Sequence, residues 1–337
     1  WVHGVGGLFG MAAVPQYAAD AEDDPVLRQL QWQPKGVGSF RVLPGQSTFG
    51  LEAVVGTLPD LGFSFSSKAG LLISVPDVAV RGALNGRVLQ PRVQISEPSY
   101  PPPSGLSFLG FIGVDSTALS FGVLGVVDLR PLLEIRVPLV GHFPLQADSD
   151  DWYVYLGADG APVQGRSMGP ISAKVLPGIL DIGADAYLML RGRGIADWPY
   201  GRGSAAAQLT ITDGFVATFG FGVQTMFGVR PIAWAELFAS LDLLLGTKPP
   251  TLAGFGRAGG SLHLGPFSLG VQAAVNFMVR EQASYLWAQV TGRIELLFFD
   301  LEATVTLAFG DEPQLTLPDA DRHPLDRFAG SVRDGSL

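Results

Sequence analysis

The sequence has no cysteine and little charge, and each absence excludes a class of protein. Without cysteine, the 337-residue chain can form no disulfide, no thiolate nucleophile and no cysteine-ligated metal site. Only 16% of its residues are charged, against about a quarter in ordinary soluble domains. The net charge is −9 and no stretch clusters four Lys or Arg residues. A nucleic-acid-binding surface requires a basic stripe, so we expect no nucleic-acid partner.

Long apolar runs are also missing. No run reaches the roughly 18 apolar residues that a transmembrane helix requires, so we expect no such helix. The opening segment VHGVGGLFGMAAV lacks the basic start of a signal peptide, which leaves the compartment open. The chain begins at Trp1 rather than at Met, and we therefore expect it to be a fragment or a processed product.

Apolar segments, glycine and proline are what the sequence contains instead. Apolar residues make up 47% of the chain, the mean hydropathy is +0.30, and 44 Gly and 25 Pro are spread along the whole length. Apolar, β-branched segments such as STFGLEAVVG and FVATFGFGVQTMFG alternate with Gly, Pro, Asp or Asn. This pattern predicts an all-β fold. We expect many short antiparallel strands in a meander (a sandwich, an open barrel or a β-groove) with at most two short helices.

Composition shifts along the chain predict three regions. The acidic stretch DAEDD before Pro25 is typical of a helix start, so a short helix is expected near 25–31 in an N-terminal β-region, 1–96. The proline-rich EPSYPPPSG separates this region from a main β-domain, 105–310, although a rigid surface loop within one domain would have the same composition. A polar C-terminal tail, 311–337, follows.

One segment, PIAWAELFASLDLLLG, fits two structures. Its large apolar residues follow helical spacing between flanking Pro and Gly, and intrinsic propensity favours a helix. The alternate residues from Ala233 to Leu243 are also apolar, as in a strand.

The stretch RIELLFFDLEATVTLAFG, from Arg293 to Gly310, predicts an unusual apolar surface. As one strand with period two, it places Leu297 and Phe299 on a face that stays apolar to Phe309. The other face begins apolar and then becomes polar at Asp300. Such a strand lies where two layers meet or where an apolar cavity opens. We therefore predict a hydrophobic groove or interface, formed by Ile294, Leu296, Phe298, Trp287 and Phe277.

Residues that could carry catalysis or bind metal form no recognisable pattern. The four histidines, His3, His142, His263 and His323, include no pair three or four residues apart, and His142 and His263 are expected to be structural. The acidic loop containing Asp148, Asp150, Asp151 and Asp159 lacks the spacing of a calcium loop. GFGRAG has dinucleotide-type glycine spacing but leads toward a strand rather than a helix. We expect no catalytic residue, no cofactor and no metal site.

Several segments together resemble a family of very large, uncharacterised bacterial proteins known only as a domain of unknown function. These segments are DWYVYLGADG, GPISAKVL, DAYLMLRG, RPIAW, GSLHLGPFSLG and FDLEATVTLAFG, and they span residues 152–310. The resemblance implies repeated β structure within a much longer polypeptide and brings no known activity. It favours a strand over a helix for PIAWAELFASLDLLLG.

Three classes of function remain open from the sequence. The first is a non-catalytic structural or interaction module, whose partners would be other segments of a larger bacterial chain or other subunits. The second is a module that binds or transfers a hydrophobic ligand such as lipid through an apolar β-lined groove. The third is an enzyme with scattered catalytic residues. A continuous apolar trough that no side chains fill would favour the second.

Overall fold

The computed structural model describes residues 1–15, 40–96, 105–146, 149–157, 170–176, 182–200, 207–281, 283–296 and 299–310. Within these ranges the chain forms eighteen β-strands and no helix. The strands are joined as antiparallel neighbours, which confirms the predicted all-β meander. The helix predicted near 25–31 and the tail predicted at 311–337 lie outside the described residues.

The chain divides into two compact units, and the first comprises residues 1–179 with 185–190. Its strands are β1 (Val2–Pro15), β2 (Phe40–Gly56), β3 (Phe65–Val75), β4 (Ala79–Val88), β5 (Gly105–Val114), β6 (Ala118–Leu129), β7 (Leu133–Pro144), β8 (Tyr153–Leu156), β9 (Ile171–Val175) and most of β10 (Ile182–Arg191). Strands β1 to β8 are hydrogen-bonded in chain order, and β9 pairs with both β7 and β10.

The second unit comprises residues 180–184 and 191–337. Its strands are β11 (Ile195–Tyr200), β12 (Ala207–Ile211), β13 (Asp213–Val229), β14 (Ala233–Lys248), β15 (Pro250–Leu264), β16 (Phe267–Arg280), β17 (Ala283–Leu296) and β18 (Phe299–Gly310). Strands β13 to β18 pair in chain order, while β11 and β12 form a separate hairpin. From β14 to β18 the pairing continues without a register shift.

The proline-rich segment that was predicted as a boundary lies between two adjacent strands of the first unit. Residues 97–104 are outside the described ranges, but the strands before and after them, β4 and β5, pair along their length from Val80–Val114 to Val88–Leu106. The two compact units divide near residues 179–191.

The segment PIAWAELFASLDLLLG forms strand β14, as the resemblance indicated and against its helical periodicity. It lies between β13 and β15 and pairs with both over almost its whole length. These backbone hydrogen bonds and the neighbouring apolar side chains outweigh intrinsic propensity, which amounts to only a few tenths of a kcal/mol per residue.

The single strand expected from Arg293 to Gly310 was a wrong interpretation. Strand β17 ends at Leu296 and β18 begins at Phe299, and the two run antiparallel. Ile294 and Leu301 are direct cross-strand partners and share a face, although uninterrupted period two places them on opposite faces. The chain reversal after Leu296 shifts the alternation, because direct partners in an antiparallel pair point to the same side.

The buried side chains of each unit lie on one face of its sheet, where local segments cover it. In the first unit the Val93 amide donates to Ser66 Oγ at 3.1 Å, and Lys68 Nζ donates to the Ile95 carbonyl at 3.1 Å. In the second unit β12 approaches β14 so closely that a Cβ added to Gly246 would lie 3.3 Å from the side chain of Ile211. These contacts exclude water from part of one face of each sheet.

The position of the core predicts that two leucines of β14 differ sharply in their contribution to stability. Leu244 is fully buried on the covered face, whereas Leu237 is 54% exposed on the other face. Leu244→Ala should lower the free energy of unfolding by about 2–5 kcal/mol, as cavity-forming substitutions do. Leu237→Ala should change it by about 0.5 kcal/mol or less. Denaturant titration of both variants measures the difference, and equal losses would contradict this assignment of the core.

Candidate functional site

The two faces of the β13–β18 sheet carry opposite kinds of side chain. Directly paired residues point to the same side, so the register assigns every residue to a face. One side, the apolar face, is formed by the odd-numbered residues of β14, β16 and β18, the even-numbered residues of β15 and β17, and the odd-numbered residues of β13 after the register shift that separates Asp213 from Val216. Across the described part of these six strands it carries no charged side chain, amide, His or Tyr. Its only hydroxyls are Thr225, Thr247 and Ser284.

The apolar face is exposed rather than buried. Leu237 of β14, Val271 of β16 and Leu301 of β18 are 54%, 57% and 59% exposed, and similar residues occur on every strand between them. Its large side chains with substantial exposure are Phe219, Phe221, Val223, Phe227, Val229, Leu237, Leu245, Leu252, Leu262, Leu264, Phe267, Leu269, Val271, Val275, Val279, Leu286, Val290, Ile294, Phe299, Leu301, Val305, Leu307 and Phe309. Isolated exposed apolar residues are ordinary, but a continuous surface of this extent indicates a binding site.

The other side of the same six strands, the polar face, holds all of their charged residues. Asp242 is 1% exposed and Arg257 is 7% exposed, and both lie on this face. The Arg257 side chain contacts Ser240 Oγ at 3.3 Å and lies over the ring of Phe238. Burial on this side therefore extends to charged groups, while apolar groups are exposed on the opposite side. This is the reverse of the usual sheet surface, which buries its apolar side.

Near the junction of β13 and β14, polar and aromatic side chains form a connected cluster on the polar face. The rings of Trp234 and His263 stack at 4.3 Å with an interplanar angle of 7°. His263 Nε2 lies 2.8 Å from Ser261 Oγ, and Arg230 lies over the Trp234 ring while pairing with Glu236. Burial lowers the pKa of His263, while Glu295 opposes and Arg230 reinforces that effect.

The first unit separates its side chains in the same way. The register of β1 to β8 places exposed apolar residues such as Phe49, Leu71, Ile112 and Val123 on one face. Among the residues of β2 to β7 that pair in this register, Ser47 and Ser67 are the only polar side chains on this face. The opposite face carries buried polar groups. These include Thr48, Ser66, Lys68, Asn85 and Ser120.

Buried charge on the polar face of the first unit is neutralised locally. Lys68 is 5% exposed, and its ammonium lies 3.5 Å from the Glu52 carboxylate. The same ammonium donates to the carbonyl of Ile95. A buried ammonium requires such partners, because its transfer out of water costs several kcal/mol when it is unpaired.

Three of the five predicted groove residues lie together on the apolar face of the second unit. Ile294 and Leu296 are on β17, and Phe277 lies on the same face of β16 with its ring over Gly254. Trp287 lies on the polar face, where it pairs with Asn276 and Ala308. Phe298 is outside the described residues.

His142 and the GFGRAG segment, which the sequence offered for catalysis or cofactor binding, both lie within strands. His142 Nδ1 lies 2.9 Å from Ser120 Oγ and its ring stacks on Tyr153. GFGRAG lies within strand β15, and strand β16 follows it. Among the described residues, no three His, Asp or Glu side chains come close enough together to hold a metal ion. Asp148 and Asp159 of the acidic loop are outside the described residues.

Membrane helices and known proteins offer no further guide. The described part of the chain contains no helix with the length and apolar character needed to cross a membrane. Comparisons of the chain with protein-family models, with curated proteins and with solved structures find no match. A function must therefore be inferred from the residues and their geometry.

The extent of the apolar face was missed by sequence reasoning, although the sequence contains its signal. Alternation of apolar residues with Gly, Gln, Asn, Ser or charged residues recurs in β13, β14, β16 and β18. Periodicity identifies an apolar side on each strand but does not say whether that side is covered. Only the pairing of six neighbouring strands joins these sides into one surface.

The cluster around His263 predicts a measurable effect of pH. Because the folded chain disfavours the charged imidazole, protonation of His263 destabilises the fold as the pH falls below the ordinary histidine value of 6.5. NMR titration should place the pKa of His263 below 6.5. Arg230→Gln should raise this pKa and Glu295→Gln should lower it further. A pKa at or above 6.5, or shifts of the opposite sign, would contradict the described environment.

Proposed function

We propose that the chain is a non-catalytic β-module whose apolar faces bind the hydrocarbon of lipids. The observation that supports this proposal is the separation of side chains in β13–β18, with the apolar side exposed and part of the charged side, including Asp242 and Arg257, buried. Exposure of such a surface to water is costly, at about 25 cal/mol per Å². A hydrophobic occupant removes that cost.

The size of the apolar face supports a dedicated binding surface. Six paired strands span it, and standard strand spacing and rise give it a geometric area of roughly 1,100 Å². The largest apolar patch on an ordinary monomer is about 300–600 Å². The apolar face is therefore larger than the apolar patches that ordinary monomers expose.

The chemistry of the face favours acyl chains over a polar ligand. Apart from three hydroxyls, its side chains in β13–β18 offer no hydrogen-bond donor or acceptor. The backbone groups between adjacent strands are already paired in the sheet. A sugar, nucleotide or peptide backbone would lose its hydrogen bonds to water without replacement. Hydrocarbon loses nothing on contact with such a surface.

The distribution of charge agrees with this occupant. All charged residues of β14–β18 point away from the apolar face, including the acidic pair of β18, Asp300 and Glu302. Charged groups within hydrocarbon cost several kcal/mol each. Their confinement to one side keeps the other side compatible with lipid across its whole width.

A second candidate occupant is another segment or subunit of a larger assembly, as the family resemblance implies. A face of roughly 1,100 Å² exceeds the 800 Å² or so that each partner contributes to a standard protein interface. Protein interfaces, however, carry about ten hydrogen bonds and a polar rim. The apolar face lacks side chains for such a rim, so we place this candidate second.

Neighbouring residues of β16 provide a direct test, because the chain contains no cysteine that would compete for a label. Val271 and Gln272 point to opposite faces of the sheet. Nitroxide labels on Val271→Cys and Gln272→Cys are compared after the full chain is incorporated into phosphatidylcholine vesicles. The label at 271 should become accessible to oxygen and protected from a water-soluble nickel complex, because oxygen concentrates in hydrocarbon. The label at 272 should remain accessible to the nickel complex and should gain no accessibility to oxygen.

A second pair of sites supplies the control. Val290 and Gln289 of β17 point to the apolar and polar faces, and their labels should repeat the difference between 271 and 272. Labels at 271 and 290 that are shielded from both reagents, with or without lipid, would support a protein occupant instead. Equal accessibility of all four labels to the nickel complex in vesicles would refute lipid binding.

A further inference from the structure

Strand β18 ends the strand order of the second unit and has an open edge. Among the described residues it is hydrogen-bonded to β17 alone. All twelve of its residues are exposed, on both faces. In an edge strand, alternate residues direct their N–H and C=O groups away from the existing partner. The outer side of β18 therefore presents a row of backbone donors and acceptors.

This edge lacks several of the features by which proteins usually prevent strand addition. Natural edge strands are blunted by charged side chains, especially Lys, by Pro, by bulges or by short length. The only charged side chains of β18 are Asp300 and Glu302. Strand β18, with the sequence FDLEATVTLAFG, contains no Lys or Pro, and its pairing with β17 has no register shift. Strand β1 of the first unit offers a contrast, since it contains Pro15 and register shifts at Val2/Gly4 and Met11/Ala13.

We propose that the open edge of β18 pairs antiparallel with β18 of a second copy of this chain, about a two-fold axis at Thr304. In this register Phe299 faces Phe309, Leu301 faces Leu307 and Ala303 faces Val305 of the other copy. These pairs extend the apolar face, because all six residues belong to it. On the polar face, Thr304 of the two copies face each other.

The charges of β18 favour this arrangement. Asp300 and Glu302 lie in its first half, while the second half, Thr304 to Gly310, is uncharged. Antiparallel pairing about Thr304 brings Glu302 opposite Thr306 and Asp300 opposite Ala308 of the other copy. A parallel, in-register pair would place like charges side by side, which is destabilising. Each acidic half therefore fits the uncharged half of its partner.

This inference concerns the edge of the sheet and stands without the lipid proposal, which concerns its face. An experiment can contradict the edge pairing without contradicting lipid binding, and the reverse. A chain that binds lipid as a monomer would overturn only the edge pairing. A dimer that binds no lipid would overturn only the function of the face.

Cysteine cross-linking of the full chain tests the register, since the background contains no cysteine. Thr304→Cys should form a disulfide with itself under mild oxidation. Glu302→Cys and Thr306→Cys should cross-link when mixed and not when each is alone. The control is Thr291→Cys, because Thr291 lies opposite Thr304 on β17 and is one strand further from the axis in each copy. Cross-linking at 304 should exceed that at 291 by roughly tenfold or more, because pairing raises the effective concentration.

Two lysine variants test the pairing through charge. Thr304→Lys places two ammonium groups opposite each other at the axis and should convert the dimer to a monomer in analytical ultracentrifugation. Thr306→Lys brings its ammonium opposite Glu302 of the second copy and should leave the dimer intact. Equal cross-linking at 304 and 291, or a wild-type chain that sediments as a monomer at every concentration, would overturn the proposal.

Discussion

The register of the paired strands is the constraint on which the other properties of this protein depend. From β14 to β18 each residue has a fixed partner on the neighbouring strand, without a bulge. Side chains alternate with a period of two, so a slip by one residue would move a strand's apolar side chains to the charged side. The register therefore assigns Val271 to one surface and Gln272 to the other, and it joins the alternation of single strands into two continuous faces.

The consequence is a sheet that exposes its apolar side and covers much of its polar side. Charged groups such as Lys68 and Arg257 are buried, and they contact carbonyl, hydroxyl or carboxylate groups close by. Local segments complete this covering, with residues 93–95 over β3 and the β11–β12 hairpin against β14 and β15. A large apolar area remains that no described residue covers, and its contact with water is unfavourable. A hydrophobic occupant would remove this surface from contact with water.

The apolar face and the edge of β18 favour different kinds of occupant. The apolar face lacks charged groups and offers shape and hydrophobic area, which suit acyl chains. The edge of β18 offers backbone hydrogen bonds, which suit another strand. An added strand with alternating apolar residues would widen the face, so strand pairing and lipid contact are compatible within one assembly. The polar and aromatic side chains around His142 and His263 are held by stacking and local hydrogen bonds.

The amino-acid sequence by itself determined the class of the fold. Spread glycine and proline with β-branched segments indicated an all-β meander, and the absence of cysteine excluded thiol chemistry. Three predicted groove residues, Ile294, Leu296 and Phe277, lie on the apolar face, whereas Trp287 lies opposite. Tertiary structure decided the rest. Neighbouring strands made β14 a strand despite its helical spacing, and a chain reversal after Leu296 placed Ile294 beside Leu301. Whether an apolar side is covered depends on contacts between segments distant in sequence, and local periodicity contains no information about those contacts.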